Sequence, residues 1–301
     1  MIEIEKNLKN LGAIIESTRI SLNLSQSELA EGICSQSQIS KIESGQISPY
    51  IHTVVKLSKK LGIDPKYFLN YIYKDQYEFV AHSKESIRKA ISNKDYDEVK
   101  RLVNLYEKHK EFQDLEEKQF ISWHKGIISY YFNKDFYGSL KILTNALSMK
   151  HALQSTEQDI QILNSIAIIY SEEGQLLKAQ DKFKEAIKIY DKSLFIIDPH
   201  IYIRICYNLS KVLYNLKEYQ DGLSFCNRGI EMCKERQSNY MFGELLFQKG
   251  TILIGIMNKH EGIKYLQYAG TIFELLERED YLSIVKRKID KLNNNPSEVN
   301  Y

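Results

Sequence analysis

The chain has 301 residues, of which 43% are apolar and 27% charged, and a net charge of only +2. That length allows two domains with sizeable cores, and the apolar share excludes wholesale disorder. The charge excludes a globally basic nucleic-acid binder. Residues 1–70 hold eight Lys/Arg against seven Asp/Glu, so any affinity for phosphate rests on local placement.

The start, MIEIEKNLKN, is charged where a signal peptide carries an apolar run. The strongest late apolar run, Thr251 to Met257, is too short to span a bilayer. Cys34, Cys206, Cys226 and Cys233 form no CxxC pair and have no cluster of His around them. The expectation is a cytoplasmic chain with reduced thiols, no metal, no cofactor and no membrane partner.

Apolar residues recur at three and four, which predicts helix almost throughout. Residues 7–69 divide into five short helices. Leu8, Leu11, Ile15 and Leu22 share one side of the first. Ser25 caps the second, with Glu28 three residues on completing a capping box. Cys34-Ser35 is a tight turn, and Ser35 caps a third helix, Gln36 to Glu43, stopped by Ser44-Gly45. Ser48-Pro49 is expected to open a fourth, with proline at its first position. Gly62 ends that helix and Asp64-Pro65 starts the fifth.

Residues 25–45 have the layout of a helix-turn-helix. Leu29, Ala30, Ile33, Ile39 and Ile42 are spaced to form the small core between its two helices. The outer face of the second helix carries Gln36, Ser37, Gln38, Ser40 and Lys41. Glutamine can hold an adenine edge through two hydrogen bonds, lysine reaches guanine, and serine bonds base or phosphate.

These residues carry a family resemblance. Leu24-Ser25-Gln26-Ser27-Glu28-Leu29-Ala30, then Ile39-Ser40-Lys41-Ile42-Glu43-Ser44-Gly45 and Pro49, resemble the Xre/Cro-type helix-turn-helix of phage and bacterial repressors. The turn at Cys34-Ser35 is one residue shorter than the commonest form. With the Ile-Cys-x-Gln-Ser stretch, it resembles the PlcR branch of the Rap/NprR/PlcR/PrgX (RNPP) regulators, which sense re-imported signalling peptides. The resemblance implies base reading by Gln36, Ser37 and Lys41, phosphate holding by Ser25 and Gln26, and a structural ion pair between Arg19 and Glu43. One such head reads one half-site, so a two-fold symmetric DNA operator and a homodimer through the C-terminal part are expected.

From about residue 76 the chain repeats. Tyr106, Ala146, Ala186, Gly229 and Ala269 are spaced by 40, 40, 43 and 40. In the clearest copy, Ala167, Tyr170, Gly174, Leu176, Ala179, Phe183 and Ala186 keep the spacing of a helix–turn–helix repeat. The expected fold class is therefore all-α: an Xre/Cro-type head followed by a right-handed tetratricopeptide-like helical solenoid, with HEAT-type pairs as the competing architecture. The expected domains are 1–64 for the head and 65–77 for a linker helix. About five degenerate repeats with a closing helix would fill 78–293, and 294–301 would be a polar tail.

A solenoid presents an inner wall made by the first helix of each pair. Asn164, Asn208 and Gln248 fall at similar places in three such helices, and a carboxamide can bond both N–H and C=O of an extended peptide. Tyr170, Tyr207, Tyr214 and Phe247 offer apolar surface, and Arg204, Lys211, Lys249 or Lys94 a cation for a terminal carboxylate. The resemblance places peptide-binding amides at these same spots. Ligand binding would then reset the spacing of two DNA-reading heads, which takes about 5.5 kcal/mol of differential affinity for a full switch. Two alternatives stand beside this: repeats that only dimerise or bind a protein partner, and a phosphorelay-binding scaffold or phosphatase. No GxSxG, Cys/His pair or phosphate loop argues for an enzyme.

Overall fold

The computed structural model describes residues 2–149, 154–193 and 198–294, side chains excepted at 2–7 and 69–77. The expected polar tail lies outside the described residues apart from Asn294. Among the described residues every regular element is helical and there is no strand. The chain forms two compact units, 1–93 and 94–301.

The first unit holds α1 (Ile2–Ser21), α2 (Gln26–Ala30), α3 (Gln36–Glu43), α4 (Ile51–Leu61) and α5 (Pro65–Ser92). Its caps follow the sequence. The Ser25 hydroxyl accepts from Glu28 N, and the Glu28 carboxylate accepts from Ser25 N at 2.7 Å. Ser35 and Gln38 form the same reciprocal pair at α3, and Asp64 caps α5 ahead of Pro65. Gly62 ends α4 with φ +70°, a left-handed conformation that costs glycine nothing. Leu11, Ile15, Leu29, Ile39, Ile42, Val54, Leu57 and Phe68 are fully or almost fully buried in one cluster, each worth about 1.5–3 kcal/mol of burial.

Three expectations need correction here. Leu22 is not part of that core: it is 47% exposed, just past the end of α1. Pro49 is not the first residue of α4. The backbone stays extended through Tyr50, whose carbonyl accepts the first helical bonds, from Thr53 N and Val54 N. The helix beginning at Pro65 does not stop near residue 77 but runs unbroken to Ser92. No glycine or proline between 66 and 92 interrupts it.

The second unit holds α6 (Tyr96–Glu107), α7 (Leu115–Tyr131), α8 (Phe136–Ser148), α9 (Glu157–Glu172), α10 (Leu176–Lys192), α11 (His200–Asn215), α12 (Tyr219–Glu235), α13 (Phe242–Gly255), α14 (Lys259–Leu275) and α15 (Glu279–Asn294). Each pair α7/α8, α9/α10, α11/α12 and α13/α14 packs on itself and on the next pair. First helices also touch one another in the order α7, α9, α11, α13, and among the described residues the second helices have no comparable contact with one another. A stack whose first helices lie closer than its second helices curves with the first helices inside.

The 40-residue period marks where helices cross. Ala146, Ala186, Gly229 and Ala269 each sit in the second helix of a pair and are buried. A Cβ on Gly229 would lie 2.9 Å from Leu245 of the next pair. A close backbone crossing joins α13 to α14, where a Cβ on Gly250 would lie 2.7 Å from the Gly262 carbonyl oxygen.

Candidate functional site

Two groups of candidate residues stand one in each unit. In the first, Gln36, Ser37, Gln38 and Lys41 form an exposed polar face on α3, and Ile39 and Ile42 on its opposite side are buried. Ser25 is exposed at the start of α2, its oxygen accepting from Glu28 N. Gln38 is only partly available. Its Oε1 accepts from Ser35 N at 3.2 Å, so only its Nε2 remains for an outside acceptor.

Behind this face runs a chain of hydrogen bonds. Gln36 Nε2 donates to Gln26 Oε1 at 2.6 Å, and Gln26 Nε2 donates to Glu43 Oε2 at 2.8 Å. Glu43 is buried and takes Arg19 in a fork, Nε to Oε1 at 2.7 Å and Nη2 to Oε2 at 2.9 Å. Arg19 Nη1 donates to the Leu24 carbonyl at 2.8 Å. The hydrogen bond to Glu43 raises the Arg19 pKa above its ordinary value, although burial opposes this. One end of the exposed glutamine pair is thus fixed to a buried, bidentate ion pair that ties α1 to α3. The family resemblance implies the Arg19–Glu43 pair; the relay through Gln26 to Gln36 requires the fold.

In the second unit the first helices place their inward side chains in register. The turn residues with positive φ, Gly174, Lys217 and Met257, fix the alignment. Asn208 and Gln248 both stand nine residues before such a residue, whereas Asn164 stands ten before its own. Asn208 and Gln248 therefore hold equivalent positions and Asn164 is one residue out of step. Asn208 Nδ2 donates to Asn164 Oδ1 at 3.3 Å, and Gln248 Nε2 donates to the Ser210 carbonyl at 3.4 Å. Asn164 and Gln248 are largely buried and Asn208 is half-buried.

Around this row α11 offers Arg204, Tyr207, Asn208 and Lys211, spaced i, i+3, i+4 and i+7 on one face. Arg204 Nε donates to the Tyr240 hydroxyl at 2.9 Å. Lys211 Nζ lies 5.4 Å from the Tyr207 ring centroid, and burial pushes the Tyr207 phenol up to about 12. Two further candidates have other surroundings. Lys94 is the exposed positive-φ residue between α5 and α6. Lys249 lies over the Tyr265 ring of α14, 4.2 Å from its centroid.

The wall also includes residues that sequence reasoning passed over. On α13, Glu244, Phe247, Gln248 and Thr251 repeat the i, i+3, i+4, i+7 spacing, and on α15 Tyr281, Ile284 and Lys288 keep its i, i+3 and i+7 positions. Lys288 Nζ donates to Thr251 Oγ1 at 2.9 Å, which joins α15 to the wall. The available signal was that shared spacing.

Residues 84–292 match the RNPP family C-terminal domain, more than half of the chain. The chain belongs to the RNPP family. Residues 15–68 match a helix-turn-helix family. Among solved structures, this RNPP chain is similar to Bacillus thuringiensis PlcR in complex with the peptide PapR7 and DNA. That match has a TM-score of 0.76 and 27% identity over 92% of this chain and 99% of that one. The apo form of the same protein matches with a TM-score of 0.67 and 24% identity over 93% and 99%. The Streptococcus dysgalactiae SHP pheromone receptor Rgg2 matches with 0.62 and 18% over 93% and 99%. These last two show a shared fold. No curated protein sequence matches the chain. Among the described residues no helix is long and apolar enough to cross a membrane, and no group of His, Cys, Asp and Glu could hold a metal ion.

Proposed function

We propose that this RNPP chain is a cytoplasmic DNA-binding transcription regulator, rather than an enzyme, whose repeat unit takes a short signalling peptide and so resets a homodimer on its operator. The observation that carries this is the full-length likeness to a relative whose structure holds both a peptide and DNA. It is supported by the exposed polar face of α3 and the row of amides along the repeat wall.

In this assignment Gln36, Ser37 and Lys41 address base edges, Gln36 held by Gln26. Ser25 gives its hydroxyl proton to a phosphate oxygen, and Gln38 contributes its Nε2. Asn164, Asn208 and Gln248 bond the peptide backbone, Tyr207 offers it an apolar face, and Arg204 and Lys211 supply positive charge.

The experiment is a binding-site selection from random duplex DNA with the intact protein and with Gln36→Ala. Expected is a two-fold symmetric site whose half-sites lie about one helical turn apart, ~34 Å. Gln36→Ala should relax one position in each half-site, at about 1–3 kcal/mol of discrimination. An unchanged preference would remove Gln36 from base reading, and failure to select any site would remove DNA binding altogether.

A further inference from the structure

The wall formed by α11, α13 and α15 carries positive charge that its own acids do not cancel. Arg204, Lys211 and Lys288 stand on it, and among the described residues none has a carboxylate within 4.0 Å. Glu244 is the sole acid of α11 and α13, and Arg278 takes it at 2.6 Å; of the α15 acids Glu279, Asp280 and Asp290, none lies within 4.0 Å of the Lys288 ammonium.

Lys288 differs from the other two cations. It is half-buried, its Nζ lies 5.0 Å from the Phe247 ring centroid, and its single hydrogen-bond acceptor among the described residues is Thr251 Oγ1. That hydroxyl in turn donates to the Phe247 carbonyl at 2.9 Å, so it aims the ammonium without neutralising it. Two of the three ammonium protons are left over. An ammonium withdrawn from water with no counter-charge is held at a cost, which an incoming anion would relieve. Burial accordingly lowers the Lys288 pKa. One and two turns back on the same face, Ile284 and Tyr281 expose 43% and 40% of their surface, an apolar shoulder beside the charge.

We propose that Lys288 is an anion-taking subsite at the α13–α15 end of the wall, and that the peptide this chain selects places a carboxylate there. The carboxylate comes from an Asp or Glu side chain or from the free C-terminus, with an apolar neighbour against Ile284 and Tyr281. This rests on the peptide reading above and narrows it to a class of peptide.

The test is affinity selection with mass-spectrometric readout. Two synthetic random-heptapeptide libraries, one with free C-terminal carboxylates and one C-terminally amidated, are offered to the intact protein and to Lys288→Met and Lys288→Arg. If a side chain supplies the anion, the native protein retains Asp/Glu-containing peptides from both libraries. If the terminus supplies it, only the free-acid library is retained. In either case Lys288→Met loses about tenfold of the enrichment, the value of one hydrogen bond to a charged group. Lys288→Arg, which keeps the charge, retains most of it, and that separates loss of the anion site from loss of the fold. Equal enrichment by Lys288→Met, or retention of neutral amidated peptides by the native protein, overturns the anion subsite and leaves peptide binding standing. Retention of nothing from either library overturns both.

Discussion

Glu43→Gln is the sharpest probe of the first unit. The substitution removes the charge from a side chain that is 3% exposed and leaves the Arg19 guanidinium, 11% exposed, without its counter-ion. Breaking a buried pair from one side costs about 3–5 kcal/mol. Arg19 keeps its bond to the Leu24 carbonyl and a glutamine Oε1 can still accept once, which places the loss near the lower end, about 3 kcal/mol. In hydrogen exchange on the intact protein, the slowest amides of α1 and α3 should then exchange about a hundredfold faster. Those of α9 to α14 should keep their native rates. The double variant Arg19→Met/Glu43→Leu should recover most of the loss, because two apolar groups need no partner. Because Glu43 Oε2 also accepts from Gln26, the single variant should loosen Gln36 and weaken base choice at its position. An acceleration below about fivefold, the value of an exposed pair, would refute the buried relay.

Gly250→Ala would drive a methyl group to 2.7 Å from a backbone oxygen of α14, and should lower stability by about 1–3 kcal/mol in a urea titration; an unchanged midpoint would contradict the close crossing. Burial pushes the Cys206 and Cys226 thiols up to about 12 and Cys233 to about 11, so at pH 8 an aromatic disulfide reagent should label native protein at half-buried Cys34 alone, the other three reacting after denaturation. The Tyr207 phenol titrates at about 12 in the folded chain and near 10 when unfolded. Between those values the unfolded chain holds fewer protons, so stability is full below pH 10 and falls as pH rises towards 12. Tyr207→Phe should make that fall shallower by about one proton per chain, read from urea midpoints at three alkaline pH values.

Much of this was legible because the signals were local. A serine followed three residues later by Glu or Gln fixes a helix start, and both Ser25 and Ser35 form their capping boxes where the spacing puts them. The boundaries of α3 follow from Ser35 and Gly45 alone. The period of about 40 located the small residues at helix crossings, since any repeat that stacks must thin its side chains at the same place each time. Local rules failed where nothing local decided. Pro49 tolerates a first-turn position without requiring one, and the helix from Pro65 has no breaker to end it at residue 77.

The site divides along the same line. The sequence by itself determined an all-α chain with a polar, capped second helix in a helix-turn-helix frame, and repeats bearing amides in their first helices. These properties depend on neighbours within one or two turns. Tertiary structure alone decided which amides meet and that Gln36 is tied through Gln26 to Glu43. It also brought Lys288 from the closing helix onto Thr251, 37 residues away. A hydrogen bond between side chains 37 or 44 residues apart depends on the angle at which helices cross. The packing of every intervening side chain sets that angle, and no spacing along the chain records it.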